Sequence, residues 1–228
     1  MTTQHRLAYS SRLRTFAAGF SMLMMFSSAA YAADVSGDIA AGKASAAVCV
    51  ACHQADGTGM AVPNGEPWPA LAGLDAGYLL KQLQDFKKGT RRNVSMQPFA
   101  QILDEQQMRN VAAYYASLSP RSGTPSQADA ELLAHGERLA LRGDWDRYVV
   151  ACVSCHGPGN GGVGGDFPQI AGQLPEYIKA QLRAYRDGSR ANDPIDLMGA
   201  IARRMTDHDI EAVSAWLGTQ SKPDAGRN

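Results

Sequence analysis

Long apolar runs are missing from most of this 228-residue chain. Beyond residue 33 no window approaches the roughly 20 consecutive apolar residues that a membrane-spanning helix needs. Runs of β-branched residues are nearly absent and aromatics make up only 7%, while Ala, Leu, Gln and Arg are plentiful. That balance argues for helices and against an extended sheet. Charge of one sign is also lacking: 22 Lys and Arg face 22 Asp and Glu. With the first 33 residues set aside the count is 19 against 22, a net charge of about −3, so the chain has no electrostatic footprint for nucleic acid. No paired carboxylates, Ser/His/Asp set or activated thiol stands out, and nothing marks a site that transforms a substrate.

The first residues carry an address. His5, Arg6, Arg12 and Arg14 precede an uncharged stretch, Phe16 to Ala30, which closes in Ala30-Tyr31-Ala32, a small-x-small cleavage pattern. Residues 1–33 are therefore expected to be a signal peptide cleaved near Ala32 or Ala33, and the mature protein to be exported.

Four cysteines in an exported chain suggest two disulfides by default. Their spacing argues otherwise. Cys49-Val50-Ala51-Cys52-His53 and Cys152-Val153-Ser154-Cys155-His156 are two complete CxxCH elements, the pattern for covalent attachment of haem c. Two thiols one helical turn apart can add to the two vinyl groups of one porphyrin, and the following His then meets the iron from the same side. A zinc site built from two CxxC pairs usually has them ~15–20 residues apart, far closer than here. A thioredoxin-like site would sit in a βαβ pattern, of which there is no sign.

The similarity of the two halves extends well past the cysteines. Trp68-Pro69-Ala70-Leu71-Ala72-Gly73 matches Phe167-Pro168-Gln169-Ile170-Ala171-Gly172. Tyr78 to Leu83, followed by Gly89, Arg91 and Asn93, matches Tyr177 to Leu182, followed by Gly188, Arg190 and Asn192. Each half then ends in a helical pattern, over 104–118 and 206–217. The expected organisation is a signal peptide (1–33), an N-terminal haem domain (34–118), a Ser/Pro/Gly linker (119–128) and a C-terminal haem domain (129–228). Asp38 is the expected N-cap of a first helix that carries CxxCH at its C-terminal end.

A His on one side of each iron leaves the sixth ligand to be found. Aligning the halves pairs Met96 with Met198, and no other two methionines share a position. Both are expected in a loop that reaches back over the haem, whereas Met108 and Met205 read as core residues. His135 and His208 have no repeat partner and read as surface residues. The predicted iron ligands are therefore His53 with Met96 and His156 with Met198. Two such six-coordinate sites favour one-electron transfer over peroxidase or oxygen chemistry.

These features together resemble the dihaem class I c-type cytochromes of the cytochrome c4 type, over about residues 36–219. The resemblance implies an all-α fold of two tandem cytochrome c domains related by pseudo-twofold symmetry, each enclosing one covalent haem c. It also implies that the carbonyls of Pro69 and Pro168 receive hydrogen bonds from His53 and His156, and that Gly42 and Gly136, with Tyr114, Tyr115 and Trp216, form the contact between first and last helices. The function implied is that of a periplasmic carrier, diffusible or loosely membrane-associated, passing electrons from a respiratory donor to a terminal oxidase or reductase. The alternative is a dedicated electron-accepting subunit of a periplasmic dehydrogenase that oxidises thiosulfate, sulfide or an alcohol.

The second half departs from a plain repeat in a longer stretch before its cysteines, Arg142 to Tyr148, expected to pack over the haem, with a docking surface as the other reading. The glycine-rich run 157–165 lacks the Lys-Ser/Thr ending of a phosphate loop and is expected to let backbone approach the porphyrin edge.

Overall fold

A computed structural model describes residues 36–63, 65–193 and 195–222. The expected signal peptide lies outside the described residues. The described chain is helical, with three isolated β-bridges and no sheet. Its elements are α1 (Ile39–Ser45), α2 (Val50–His53), α3 (Ala76–Lys88), α4 (Met96–Ile102), α5 (Glu105–Ser117), α6 (Ala130–Arg142), α7 (Val153–His156), α8 (Pro175–Asp187), α9 (Leu197–Ala202) and α10 (Asp207–Thr219). Helices α1 to α5 correspond in order to α6 to α10, so the sequence repeat is also a repeat of structure.

In each half the first helix crosses the last, α1 on α5 and α6 on α10. Glycine makes the crossing possible. A Cβ on Gly42 would lie 2.0 Å from the Asn110 carbonyl oxygen and 2.9 Å from Tyr114 Cβ; one on Gly136 would lie 2.1 Å from the Ala212 carbonyl and 2.8 Å from Trp216 Cβ. Tyr114 and Trp216 thus sit at the crossings as expected. Tyr115, one residue further round the helix, is buried in the first core with Ala46, Cys49 and Leu79.

Stripes at helical spacing fill the two cores. Met108, Val111 and Tyr115 of α5 pack on Leu79 and Leu80 of α3, while Ile210, Val213 and Leu217 of α10 pack on Ile178 and Leu182 of α8. Capping sets the helix ends. Asp104 and Thr206 each form a reciprocal capping box at the start of the last helix, and Gly89 and Gly188 end α3 and α8 in the left-handed conformation.

Three segments differ from their expected form. Asp38 caps α1 as anticipated, but α1 stops at Ser45, and a 3-10 turn separates it from α2, so the first CxxCH lies on a short helix of its own. Residues 119–128 form a strap instead of a free spacer: Pro120 lies against Gly73, Arg121 donates to the Gly172 carbonyl at 2.6 Å, and the Thr124 amide donates to the Gly218 carbonyl at 3.0 Å. The stretch from Arg142 to Tyr148 is fixed at its base, where Asp144 and Val149 exchange backbone hydrogen bonds and Arg147 bonds Asp144 and Asp209. Its aromatics nonetheless face water, Trp145 at 64% and Tyr148 at 73% exposure, and Val149 alone turns into the core.

Candidate functional site

The two CxxCH segments open into one connected cavity of about 1150 Å³. This exceeds the ~300–1,000 Å³ of a typical single-ligand pocket. Cys49, Cys52, His53, Pro69 and Met96 line it from the first half, and Cys152, Cys155, His156, Pro168 and Met198 from the second. All ten sequence-predicted site residues therefore meet at one place. The run 157–165 does not reach it. There Gly162 instead lets its backbone pass Gln169, since a Cβ would sit 2.6 Å from the Gln169 amide nitrogen.

Helices α2 and α7 position the cysteines and histidines. Each begins at the first Cys as N-cap and ends at the His, with the backbone bonds from His53 N to Cys49 O and from His156 N to Cys152 O, both 2.9 Å, closing the turn. The second thiol consequently stands one turn from the first, with the imidazole beside it. Both rings are buried, His53 at 4% exposure and His156 at 7%. Their Nδ1 atoms lie 2.8 Å from the Pro69 carbonyl oxygen and 2.7 Å from that of Pro168. A carbonyl can only accept, so Nδ1 carries the proton and Nε2 keeps a lone pair. Burial lowers the pKa of both imidazoles more than the proline carbonyls raise it, which keeps them neutral. Burial also raises the Cys49 thiol, and takes that of Cys152 up to about 11, unlike the lowered thiols of redox-active CxxC sites.

The methionines stand on short helices, not in the open loop expected from sequence: Met96 is the first residue of α4 and Met198 the second of α9. A side-chain oxygen holds each methionine amide. Asn93 Oδ1 accepts from Met96 N at 2.8 Å, and Asp193 Oδ2 accepts from Met198 N at 2.8 Å. These bonds seed a helical turn that hydrophobic periodicity does not announce. Of the other methionines, Met108 is buried in the first core and Met205 in the second.

Between the halves lies a polar network with approximate twofold character. Arg91 donates to Gln82 Oε1 at 2.8 Å and, across the divide, to Tyr177 OH at 2.7 Å and Gln181 Oε1 at 3.0 Å. Arg190 donates to Gln181 Oε1 at 2.8 Å and across to Gln82 Oε1 at 3.2 Å. Each guanidinium also lies 4.6 Å from an aromatic centroid, Arg91 over Phe86 and Arg190 over Tyr185. Both arginines are buried and line the cavity, and among the described residues neither has a carboxylate in ion-pair range. Two such cations suit a cofactor that brings its own carboxylates, as the propionates of haem would. Gln173 adds a further link, grasping both the amide and the carbonyl of Ala70 at 2.9 Å beside Pro69.

Sequence reasoning missed several of these residues. His135 and His208 are partners of one another, stacked with centroids 5.0 Å apart, and His135 Nε2 donates to Asp209 at 2.7 Å. Asp209 is a buried hub that also accepts from Arg147 and Thr206. The pattern Thr206-x-x-Asp209 before an apolar run was its available signal. For Asp193 the repeat misleads, because it pairs Asn93 with Asn192 and the acceptor for Met198 is one residue further on.

Known proteins share this arrangement. The cytochrome c family profile matches residues 39–119 and 146–221. A thiosulfate dehydrogenase electron acceptor of Thiomonas intermedia (strain K12) is 45% identical over 181 residues, spanning 79% of this chain and 82% of that protein. Cytochrome c4 of Thiocapsa roseopersicina is 43% identical over 185 residues, 79% of this chain and 92% of that one. The crystal structure of reduced recombinant cytochrome c4 from Pseudomonas stutzeri superposes with a TM-score of 0.73 at 36% identity, covering 82% of this chain and all of that one. Two helical halves, each with a CxxCH turn facing a common cavity, define a c-type cytochrome, and the chain belongs to the cytochrome c family in its dihaem cytochrome c4 branch. It carries two covalently bound haems c and is an electron carrier, with redox proteins as its partners.

Proposed function

We propose that the chain works in the periplasm with both irons held by His and Met, His53 with Met96 and His156 with Met198, and that it passes single electrons from a respiratory donor to a terminal oxidase or reductase. Haem iron at these positions supplies the one-electron Fe(III)/Fe(II) couple. The residues supply everything else. Pro69 and Pro168 fix the tautomer and plane of the two imidazoles, so each Nε2 is a ready ligand that needs no proton release. The thioethers of Met96 and Met198 favour the reduced metal and raise its potential relative to a second imidazole. The apolar walls keep water out. The single observation that carries this reading is that both sets of Cys, His and Met line one cavity. The family pattern and the N-terminal address support the compartment.

The test is spectroscopic. Met96→Ala and Met198→Ala should each remove about half of the weak sulfur-to-iron absorption band of the ferric protein, with both haems still covalently attached. A band untouched by either change sinks the ligand assignment.

A second reading concerns the donor. The 45% identity to a thiosulfate dehydrogenase electron acceptor favours such a dehydrogenase as the protein that fills these haems. An oxidation that releases two electrons would load both halves of one molecule. Stopped-flow mixing of the oxidised protein with a thiosulfate dehydrogenase and thiosulfate should give rapid haem reduction, and reduction no faster than without the dehydrogenase would remove that donor.

A further inference from the structure

The two methionine segments are held differently. In the first half Asn93 Oδ1 accepts from the amides of both Ser95 (3.0 Å) and Met96 (2.8 Å), and its own amide group is tied to Glu66, which also accepts from Ser95 Oγ at 2.9 Å. Everything in that chain of bonds belongs to the first half. In the second half Asn192, the repeat counterpart of Asn93, points elsewhere. Its Nδ2 donates to Gln82 at 3.0 Å and to Asp85 at 2.6 Å, both on α3 of the opposite half, and Lys81 of the same helix donates to its carbonyl at 2.8 Å. The neighbouring residue, Asp193, takes over the Met198 amide. Its other oxygen, Oδ1, is buried with no hydrogen-bond partner, so the carboxylate is committed to that single amide among the described residues.

We infer that Asn93 and Asp193 are the positioning residues for Met96 and Met198, and that the second is braced from the other half through its immediate neighbour, by the grip of Asp85, Gln82 and Lys81 on Asn192, whereas the bonds of Asn93 itself stay within the first half. The inference rests on Met96 and Met198 being iron ligands, and it goes beyond that reading by making one ligand depend on the interface. The physical reason is geometric. A thioether holds iron weakly and can reach it only if the turn that carries it is fixed, and that turn starts at an amide whose sole side-chain acceptor is Asn93 or Asp193. Removing Asp85 takes away one of the bonds that hold Asn192, leaving those to Gln82, Lys81 and Arg190, and so weakens the brace on Asp193. Loosening Glu66 frees Asn93 and Ser95, both of the first half.

The experiment uses the full haem-loaded protein in two backgrounds. In Met96→Ala the remaining sulfur-to-iron band reports Met198, and in Met198→Ala it reports Met96. In the first background, where the first haem already accepts added imidazole, Asp193→Ala is expected to lose most of the remaining band and to bind a second imidazole per chain, while Asp193→Asn, which keeps an acceptor oxygen, retains the band. Asp85→Ala should weaken the same band. In the second background Asp85→Ala should leave the band unchanged, and Asn93→Ala should lose it. Haem content per chain, measured alongside, separates loss of a ligand from failure to assemble. If the two background changes do not each halve the parental band, the ligand reading itself is wrong. If they do and Asp193→Ala keeps its band, or Asp85→Ala weakens both bands alike, the positioning inference is overturned.

Discussion

Asp209 concentrates more bonds than any other carboxylate in the second half. It closes the capping box with Thr206, accepts from His135, and takes a two-pronged bond from Arg147 at 2.7 and 3.2 Å. Burial pushes its carboxyl up, but Arg147, Thr206 and His135 outweigh that and hold it well below the usual carboxylate range. A depressed folded pKa contributes stability above the unfolded value of about 3.9, and that contribution is lost as pH falls below it toward the folded pKa. Asp209→Ala removes a helix cap and the buried partner of a half-exposed arginine, and should cost about 2 kcal/mol in denaturant unfolding of the haem-loaded protein at neutral pH. The gap between wild type and variant should shrink in the same measurement below about pH 4. Single residues were legible in the sequence where chemistry demands a fixed spacing, as at Cys49, Cys52 and His53. Asp209 was legible only as the partner of Thr206 in a cap, since Arg147 and His135 reach it from distant segments, and Asp193 was not legible because its bond to the Met198 amide departs from the repeat by one residue.

At the scale of elements, the helix crossings decide whether each half closes. Gly42 and Gly136 let two backbones touch where any side chain would collide with a carbonyl. Gly42→Ala and Gly136→Ala should each destabilise the protein by about 3 kcal/mol, the upper range for overpacking, as read from denaturant midpoints with haem content unchanged. Periodicity made the long helices α3, α5, α8 and α10 readable, since each buries a continuous apolar stripe. The short ones escaped it. Helices α4 and α9 have seven and six residues, too few for a stripe, and owe their first turn to Asn93 and Asp193. The expectation for Arg142 to Tyr148 failed for a related reason: the bonds of Arg147 and Asp144 fix the base of the turn, and its aromatics are left outside.

In the whole molecule the connection between halves behaves as structure. Composition read 119–128 as a spacer, but composition cannot reveal that Arg121 meets the Gly172 carbonyl or that Thr124 meets that of Gly218. Arg121 is the only basic residue of that segment. Trypsin should therefore leave the haem-loaded protein intact there, and early cleavage after Arg121, seen as two haem-bearing fragments, would show the strap to be loose. Gln173→Ala would leave the buried amide and carbonyl of Ala70 unpaired and should cost about 2 kcal/mol, read in the same unfolding experiment.

The crossed arginines carry a consequence for how such a chain can change over generations. Arg91 finishes its bonds on Tyr177 and Gln181, and Arg190 finishes its own on Gln82. Cutting the gene at the linker would not return two small self-sufficient cytochromes. Each product would display a cation that had been hidden and would lack a wall of its own cofactor chamber. What reads as a tandem duplication has become a mutual dependence, so substitutions on α3 and α8 are free to drift only in concert.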